Sequence, residues 1–224
     1  MLKDWSNVII PEEEEINERL EKARNKLVQQ QILIMQKKLP VLVSFDGWGA
    51  AGKGSILGKI IKNIDPRFFK VAVMDKPTED EKRRPFLYRY VINIPEAGKF
   101  TFMDGGCLDE VTKQKLSGKI TDEEYKRKIE SVKRFERQLS DNGYLVIKFF
   151  FHIGEQEQRK RLTRLLDDKN TRWRVSEYDL WQNQHYKKSL KAFDQFIDDT
   201  SQSIAPWYIV DATDKKWVQL QILE

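Results

Sequence analysis

A glycine-rich stretch in the N-terminal half constrains this chain more than any other feature. Residues 45–55 read FDGWGAAGKGS, follow the apolar run 41–43 and precede a helix-compatible stretch at 56–62. This order predicts a strand, a tight loop and a helix, in which backbone N–H groups and the helix N-terminus converge on one anion. Lys53 would add a point charge against the outer phosphates. The expected phosphate-binding residues are Gly47, Gly49, Ala50, Ala51, Gly52, Lys53, Gly54 and Ser55.

The loop departs from the usual P-loop pattern at one position. In that pattern Ser or Thr directly follows the lysine, and its hydroxyl holds Mg²⁺. Here Gly54 follows Lys53, and the hydroxyl comes one residue later, at Ser55. The loop therefore predicts phosphate binding better than it predicts metal binding.

Composition narrows the class of protein. A chain of 224 residues suits one large domain, and 33% charged residues with a net charge of +5 suit a helical protein with a polyanionic partner. The positive charge gathers near a small-molecule loop rather than along an aromatic groove, which argues against a nucleic-acid-binding protein. A single cysteine, Cys107, excludes an internal disulfide, and no apolar stretch approaches membrane-spanning length. We expect a cytoplasmic protein.

Strand and helix signals alternate along the chain. Strands separated by helices predict parallel β-α-β units with helices on both faces of the sheet, and hence one three-layer α/β/α domain over residues 1–224 with an N-terminal helical segment at 1–39. Residues 121–124 (TDEE) predict a capping box that opens a long helix ending near Asn142. The expected strands are 40–45, 69–74, 99–103, 144–153 and 207–210, and the expected helices are 12–36, 79–91, 121–142, 155–168, 176–199 and a terminal one.

Ligands in such sheets bind at the carboxyl ends of the strands. Residues 75–78 follow the second expected strand, Asp104 follows the third, and His152 ends the long apolar one. Asp104 stands where a Walker B-type carboxylate would hold Mg²⁺ or its water shell. The alternative is that Asp104 only begins the turn before Gly105. For His152 a buried, hydrogen-bonded side chain is expected rather than a catalytic base.

Basic side chains concentrate between residues 155 and 175. Arginine forks grip phosphate oxygens in pairs, and a mobile arginine-rich segment over a phosphate site is typical of the lids of small-molecule kinases. The alternative is a solvated helix face, because acidic residues are interleaved. The cluster consists of Arg159, Lys160, Arg161, Arg164, Lys169, Arg172 and Arg174.

Several ordered segments resemble the polyphosphate kinase 2 family. They are 46–54 (DGWGAAGKG), 77–78 (PT), 84–90 (RPFLYRY), 94–95 (IP), 135–136 (FE), 146–150 (VIKFF), 172–174 (RWR) and 205–207 (APW). The resemblance implies a thymidylate-kinase-like P-loop fold with a helical lid. It also implies phosphoryl transfer between inorganic polyphosphate and a nucleotide (AMP, ADP or GDP), with Mg²⁺. Lys53 and Arg89, with Asp104, would then form the catalytic set, and Arg172 and Arg174 would belong to the lid.

Two positions depart from that family. Its members usually carry aspartate where this chain has Gly49, and an Asp-Arg-Ser-Trp-Tyr segment where this chain reads DGGCL at 104–108. Losing a carboxylate and an arginine would remove charge neutralisation from phosphoryl transfer, and Asp46 is the other candidate metal ligand. A second interpretation therefore stays open. In it the chain is a degenerate domain that binds phosphate or polyphosphate, or scaffolds an active partner, in a homo-oligomer or fused to a second homologous domain.

Overall fold

A five-stranded sheet forms the centre of the molecule. The computed structural model describes Leu2 and residues 9–74 and 76–224, so Asp75 of the expected strand-end set lies outside the described residues. All pairings between the strands are parallel, and the order across the sheet is β2-β3-β1-β4-β5. The strands are β1 (Val41–Gly47), β2 (Phe69–Val73), β3 (Phe100–Asp104), β4 (Leu145–His152) and β5 (Trp207–Asp211).

Ten α-helices connect or flank these strands in the described part of the chain. Short 3-10 turns lie at Pro66–Phe68 and Arg172–Arg174. The helices are α1 (Glu13–Gln36), α2 (Lys53–Ile61), α3 (Glu79–Arg83), α4 (Tyr88–Val91), α5 (Cys107–Leu116), α6 (Asp122–Asp141), α7 (Glu155–Asp167), α8 (Glu177–Gln184), α9 (Tyr186–Thr200) and α10 (Lys215–Leu223).

The helices fall on two sides of the sheet. The connection from β1 to β2 runs toward one edge, whereas those from β3 to β4 and from β4 to β5 run toward the other. Since β-α-β crossovers are right-handed, these two directions place their helices on opposite faces. The packing agrees, because α2 contacts α10 while α5, α6 and α9 contact one another. The expected three-layer α/β/α fold is confirmed.

The strands are buried because apolar residues fill both faces. In β1 the side chains of Val41, Val43 and Phe45 enter one hydrophobic cluster and Leu42 enters another. Phe45 is fully buried and its ring lies 5.8 Å from that of Phe149 on β4. Near-continuous apolar strands are typical of parallel sheets covered on both sides. Among the described residues, no helix has both the length and the apolar character needed to cross a bilayer.

Three expected elements differ from the structure. The helix expected at 79–91 is broken into α3 and α4, because Pro85 forces Arg84 into an extended conformation with ψ of 162°. The helix expected at 176–199 is interrupted at His185, where ψ is 37°. Helix α5 was not expected, since Gly105 and Gly106 indicate a turn. The capping box at Thr121 is confirmed, with Thr121 and Glu124 bonded to each other's backbone N–H.

Candidate phosphate-binding site

The loop after β1 is held in a conformation that needs its glycines. Gly47 has φ of +136°, and a Cβ atom there would overlap the Phe151 carbonyl and lie 2.7 Å from the Phe151 nitrogen. Gly52, at the N-terminus of α2, has φ of +92°, and Ala50 between them has φ of +61°. Such positive φ values are strained for residues with a side chain. The strand–loop–helix arrangement expected from residues 45–55 is therefore present.

Trp48 anchors the loop from below. Its side chain is fully buried, stacks on Tyr186 with ring centroids 4.1 Å apart, and donates an Nε1–H hydrogen bond to His152 Nδ1 at 3.2 Å. Burial lowers the pKa of His152 to about 4, so the ring is neutral near pH 7 and can accept this bond. His152 thus supports the loop as a buried, hydrogen-bonded side chain, as expected.

Lys53 lies inside the curve of the loop. Its ammonium donates to the carbonyl oxygens of Gly47 and Trp48, at 3.0 and 3.2 Å, and lies 4.0 Å from Asp109 Oδ2. As the first residue of α2, it also stands at the positive end of a nine-residue helix. An anion bound in the loop would meet the lysine charge and the helix N-terminus together.

Asp104 approaches the first turn of α2 from the neighbouring strand, β3. It lies at the end of β3 opposite Phe45 of β1, and its Oδ2 is 3.1 Å from where a Cβ atom on residue 54 would lie. This proximity gives a physical reason for glycine after Lys53, because a Ser or Thr side chain would crowd the carboxylate. The carboxylate therefore stands beside the first turn of α2, where the usual hydroxyl is missing.

Asp46 is directed inward rather than toward the loop. Its carboxylate is 1% exposed and accepts hydrogen bonds from the Ser44 hydroxyl at 2.6 Å and the Gly106 N–H at 2.9 Å. Burial raises the pKa of Asp46, opposed by the Ser44 hydrogen bond and the charge of Lys53. Its visible role is to cap the N-terminus of α5.

Asp109 is a residue of this site that the sequence reasoning missed. Desolvation raises its pKa to about 7, with further increases from Asp46, Asp179 and Asp104 against the opposing charge of Lys53. About a third of the side chain (34%) remains exposed, so solvent screening moderates the shift. The signal available in the sequence was a carboxylate five residues after Asp104, at the start of an unrecognised helix.

A large cleft opens over the loop, with a volume of about 1370 Å³. It is lined by residues 48–55 and by Asp104, and α7 and the 3-10 turn after it contribute Arg161, Arg164 and Arg174. These three belong to the basic cluster expected to form a lid, whereas its other four members, Arg159, Lys160, Lys169 and Arg172, do not line the cleft. Within the described part of the chain, the Arg164 side chain is exposed and forms no hydrogen bond or ion pair.

The Arg161 guanidinium is occupied by hydrogen bonds that hold the loop in place. Its guanidinium donates to the carbonyl oxygens of Ala51, Ala212 and Thr213, between 2.7 and 3.3 Å, and pairs with Glu157 at 2.6 Å. Because these carbonyls belong to the loop and to the segment after β5, one side chain ties three parts of the cleft together.

Four expected site residues are absent from the cleft lining, namely Asp46, Gly47, Arg89 and Arg172. Arg89 on α4 is buried and approaches Glu81 and Glu110 at 3.9 and 3.8 Å. Arg172 is exposed at the start of the 3-10 turn, two residues from Arg174. The structure thus unites the loop, Asp104 and Arg174, but not Arg89, Arg172 or Asp46, around one cleft.

Gly49 is enclosed by the helices that follow β4. Its N–H donates to Gln182 Oε1 at 2.9 Å, and its carbonyl accepts from Gln158 Nε2 at 3.2 Å. A Cβ atom at this position would overlap Asp179 Oδ1 and lie 2.8 Å from Asp179 Cγ. The space of a side chain at position 49 is therefore already filled by a carboxylate from α8.

The carboxylates of the cleft could hold Mg²⁺ only together with a bound phosphate. Among the described residues, no three His, Cys, Asp or Glu side chains are grouped to hold a metal ion. Mg²⁺, however, commonly binds through one or two carboxylates together with substrate phosphates and waters. Asp104 lies in the cleft beside α2 and could be the single carboxylate that such a site needs.

Comparison with known proteins identifies relatives of this chain. The family model described as Polyphosphate kinase 2 matches residues 11–224. The polyphosphate:AMP phosphotransferase of Pseudomonas syringae pv. tomato is 31% identical over 187 residues, which is 84% of this chain and 38% of that protein. ADP-polyphosphate phosphotransferase 3 of Rhizobium meliloti is 28% identical over 183 residues, covering 82% of this chain and 64% of its own length. The chain thus spans under two thirds of either relative.

A solved structure matches almost the whole chain. A crystal structure of a polyphosphate kinase 2 protein from Pseudomonas aeruginosa PA01 superposes with a TM-score of 0.92 at 26% identity. The match covers 99% of this chain and 48% of the other. The fold is therefore shared over nearly the whole of this chain.

Proposed function

The chain belongs to the polyphosphate kinase 2 family, and from this premise we propose that it transfers phosphoryl groups between inorganic polyphosphate and a nucleoside mono- or diphosphate. The observation that carries the proposal is the meeting of Lys53, Asp104 and Arg174 in one cleft over the glycine loop. Phosphoryl transfer needs positioning and charge neutralisation more than covalent chemistry. AMP, ADP and GDP are the nucleotides to test.

The loop and α2 would hold the phosphates. Lys53 now donates to two loop carbonyls, and a phosphate oxygen would replace them as a stronger, charge-assisted acceptor. Asp104 would hold Mg²⁺, which neutralises phosphate charge when bound. Arg164 and Arg174 would approach the phosphates from the lid side, and Arg172 would do so if the lid closes further.

A second candidate function is phosphate binding without transfer. It is favoured by Gly49, whose N–H is engaged by Gln182 and therefore not offered to an anion. Gly105 and Gly106 likewise present no side chain after β3. In this alternative the domain holds polyphosphate or shapes an assembly for an active partner.

A direct assay separates the two candidates. The purified chain is incubated with Mg²⁺, long-chain polyphosphate and AMP, ADP or GDP in turn, and nucleotide products are quantified. Under the first proposal, turnover is expected and Lys53→Ala lowers it by two orders of magnitude or more, on the order of the loss of a charged transition-state contact. The matched control is Lys62→Ala, at the far end of α2, which should retain turnover.

The alternative makes a different prediction. Polyphosphate would bind, as followed by calorimetry, with Lys53→Ala weakening the binding and no nucleotide product forming. If the chain neither binds polyphosphate nor turns it over, both candidate functions are wrong.

We also propose a cellular location and a mode of assembly for the protein. Nucleotides and polyphosphate are cytoplasmic substrates, which agrees with a single cysteine and no disulfide, so a cytoplasmic location is proposed. The greater length of both relatives supports association with a second homologous domain or with further copies of the chain. Sedimentation of the full-length gene product tests the assembly.

A further inference from the structure

One aromatic side chain in the lining of the cleft is mostly exposed. Trp173 lies in the 3-10 turn after α7, lines the cleft over the glycine loop, and is 75% exposed. Trp48 lines the same cleft, but its ring is fully buried beneath the loop. An exposed indole offers a large apolar face that a planar ligand can remove from water. Trp173 is therefore available to a ligand in a way that Trp48 is not.

The Trp173 ring is held in place although it is exposed. Its Nε1–H donates to the Asn170 carbonyl oxygen at 2.9 Å. The turn is tied to α7 by the Thr171 hydroxyl, which donates to the Leu165 carbonyl oxygen at 2.9 Å. Because indole has no other donor and no acceptor, the ring offers a ligand only its π-face and its apolar edges. A ring fixed in this way loses little freedom on binding, which favours stacking of a planar group against it.

Apolar and basic side chains line the cleft together with Trp173. The apolar ones include Ile10 and Pro11, which precede α1, and Leu165 on α7. Inorganic polyphosphate has no apolar group to place against them, whereas every nucleobase has a π-face that can stack. The Arg174 guanidinium carbon lies 5.3 Å from the Trp173 ring centroid, so a positive charge for phosphate stands beside the aromatic surface. This side of the cleft therefore suits a ligand that carries both a base and phosphates.

We propose that Trp173, with Leu165 and Ile10, forms a base-binding subsite of the cleft, on which the nucleobase of a nucleotide stacks while its phosphates face Lys53. The inference rests on the proposed binding of a nucleotide in this cleft. The cleft volume of about 1370 Å³ exceeds the roughly 300–1,000 Å³ of common small-molecule sites, which leaves space for a base beside the phosphates. Because stacking tolerates every base, the subsite separates nucleotides from polyphosphate without choosing strongly among bases.

The test compares ADP and GDP with inorganic tripolyphosphate, which has phosphates but no base, by titration calorimetry of the full chain at a fixed Mg²⁺ concentration. Trp173→Ala should weaken the binding of both nucleotides about 5- to 150-fold, the loss that follows removal of one aromatic–base stack, and should leave the tripolyphosphate affinity nearly unchanged. Trp173→Phe should retain most of the nucleotide affinity. Leu166→Ala is the matched control, because Leu166 is an exposed apolar residue of α7 that does not line the cleft.

Two further measurements test the subsite independently. ADP should quench the tryptophan emission of the wild-type chain, and most of that quenching should be lost in Trp173→Phe, whereas tripolyphosphate should cause little of it. Ile10→Ser should weaken ADP binding by a smaller factor than Trp173→Ala, again without affecting tripolyphosphate.

The outcomes separate this inference from the proposed function. Unchanged ADP affinity in Trp173→Ala, or equal losses for ADP and tripolyphosphate, would overturn the inference and leave the proposed function standing. A wild-type chain that binds tripolyphosphate but no nucleotide also overturns it, and leaves the second candidate function. If the wild-type chain binds neither ligand, or if Lys53→Ala weakens neither, the proposed function is wrong as well.

Discussion

Gly47 shows how a single residue fixes the loop. Its φ of +136° and its contact with the backbone of Phe151 leave no room for a side chain. Gly47→Ala should lower the free energy of unfolding by about 2–5 kcal/mol, since backbone strain adds to overpacking against a buried strand. Urea denaturation measures this loss.

Gly143→Ala is the matched control for that prediction. Gly143 also has a positive φ, +81°, but no atom lies within 4 Å of the added Cβ. Only the strain of the left-handed conformation remains, so a loss of about 1–2 kcal/mol is expected. Equal losses for the two variants would show that the contact with Phe151 contributes nothing.

At the scale of a helix, local sequence decides where elements begin. Thr121 caps α6, with its hydroxyl accepting from the Glu124 N–H and Glu124 bonding back. Thr121→Ala should cost about 1 kcal/mol of unfolding free energy, measured by urea denaturation. Ser131→Ala in the exposed middle of α6, where the hydroxyl only bonds the Arg127 carbonyl, should be nearly neutral or slightly stabilising. A larger loss at Ser131 would contradict the capping explanation.

Helix ends set by neighbouring residues in the sequence were predictable. Helix ends set by tertiary packing were missed. The capping box of α6 and all five strands were visible in the sequence. The break at His185 was not visible in the sequence, because it accompanies tertiary contacts of the next residue. Tyr186 stacks on Trp48 and donates its hydroxyl hydrogen bond to the Ile153 carbonyl. Helix α5 was hidden behind Gly105 and Gly106, and its cap is Asp46, sixty residues away.

At the scale of the whole molecule, one buried ion pair joins distant segments. Lys148 of β4 donates to both oxygens of Glu136 on α6, at 2.9 and 2.8 Å, and to the Thr200 carbonyl at 3.0 Å. Lys148→Met would leave the Glu136 carboxylate buried without its charged partner, with the Gln202 amide still donating to it at 3.2 Å. The expected loss is about 3–5 kcal/mol of unfolding free energy, measured by urea denaturation.

Two comparisons control that experiment. Lys148→Met combined with Glu136→Leu should recover most of the loss, because both buried charges are then removed. Lys22→Met, which breaks the exposed pair with Glu18, should leave the free energy of unfolding nearly unchanged. A double variant as unstable as Lys148→Met would show that volume, rather than charge, dominates this region.

The site was only partly predictable because it is assembled across the chain. The loop, Asp104 and Arg174 follow from the rule that parallel strands end at one edge and from the basic lid segment. Asp109 and Asp179 carry no motif, and only the docking of α5 and α8 brings them to the loop. The buried position of Arg89 depends on the turn that Pro85 imposes, which the periodicity of 79–91 did not reveal.

The cap that Asp46 provides for α5 also ties residue 46 to residue 106. A Cβ atom at Gly106 would overlap Asp46 Oδ2 and lie 2.9 Å from Asp46 Cγ. Any larger residue at position 106 requires both the Asp46 carboxylate and the Ser44 hydroxyl, 2.5 Å from the same point, to move. The two positions are therefore coupled, and substitutions at 46 and 106 should change the free energy of unfolding by less or more than the sum of their separate effects.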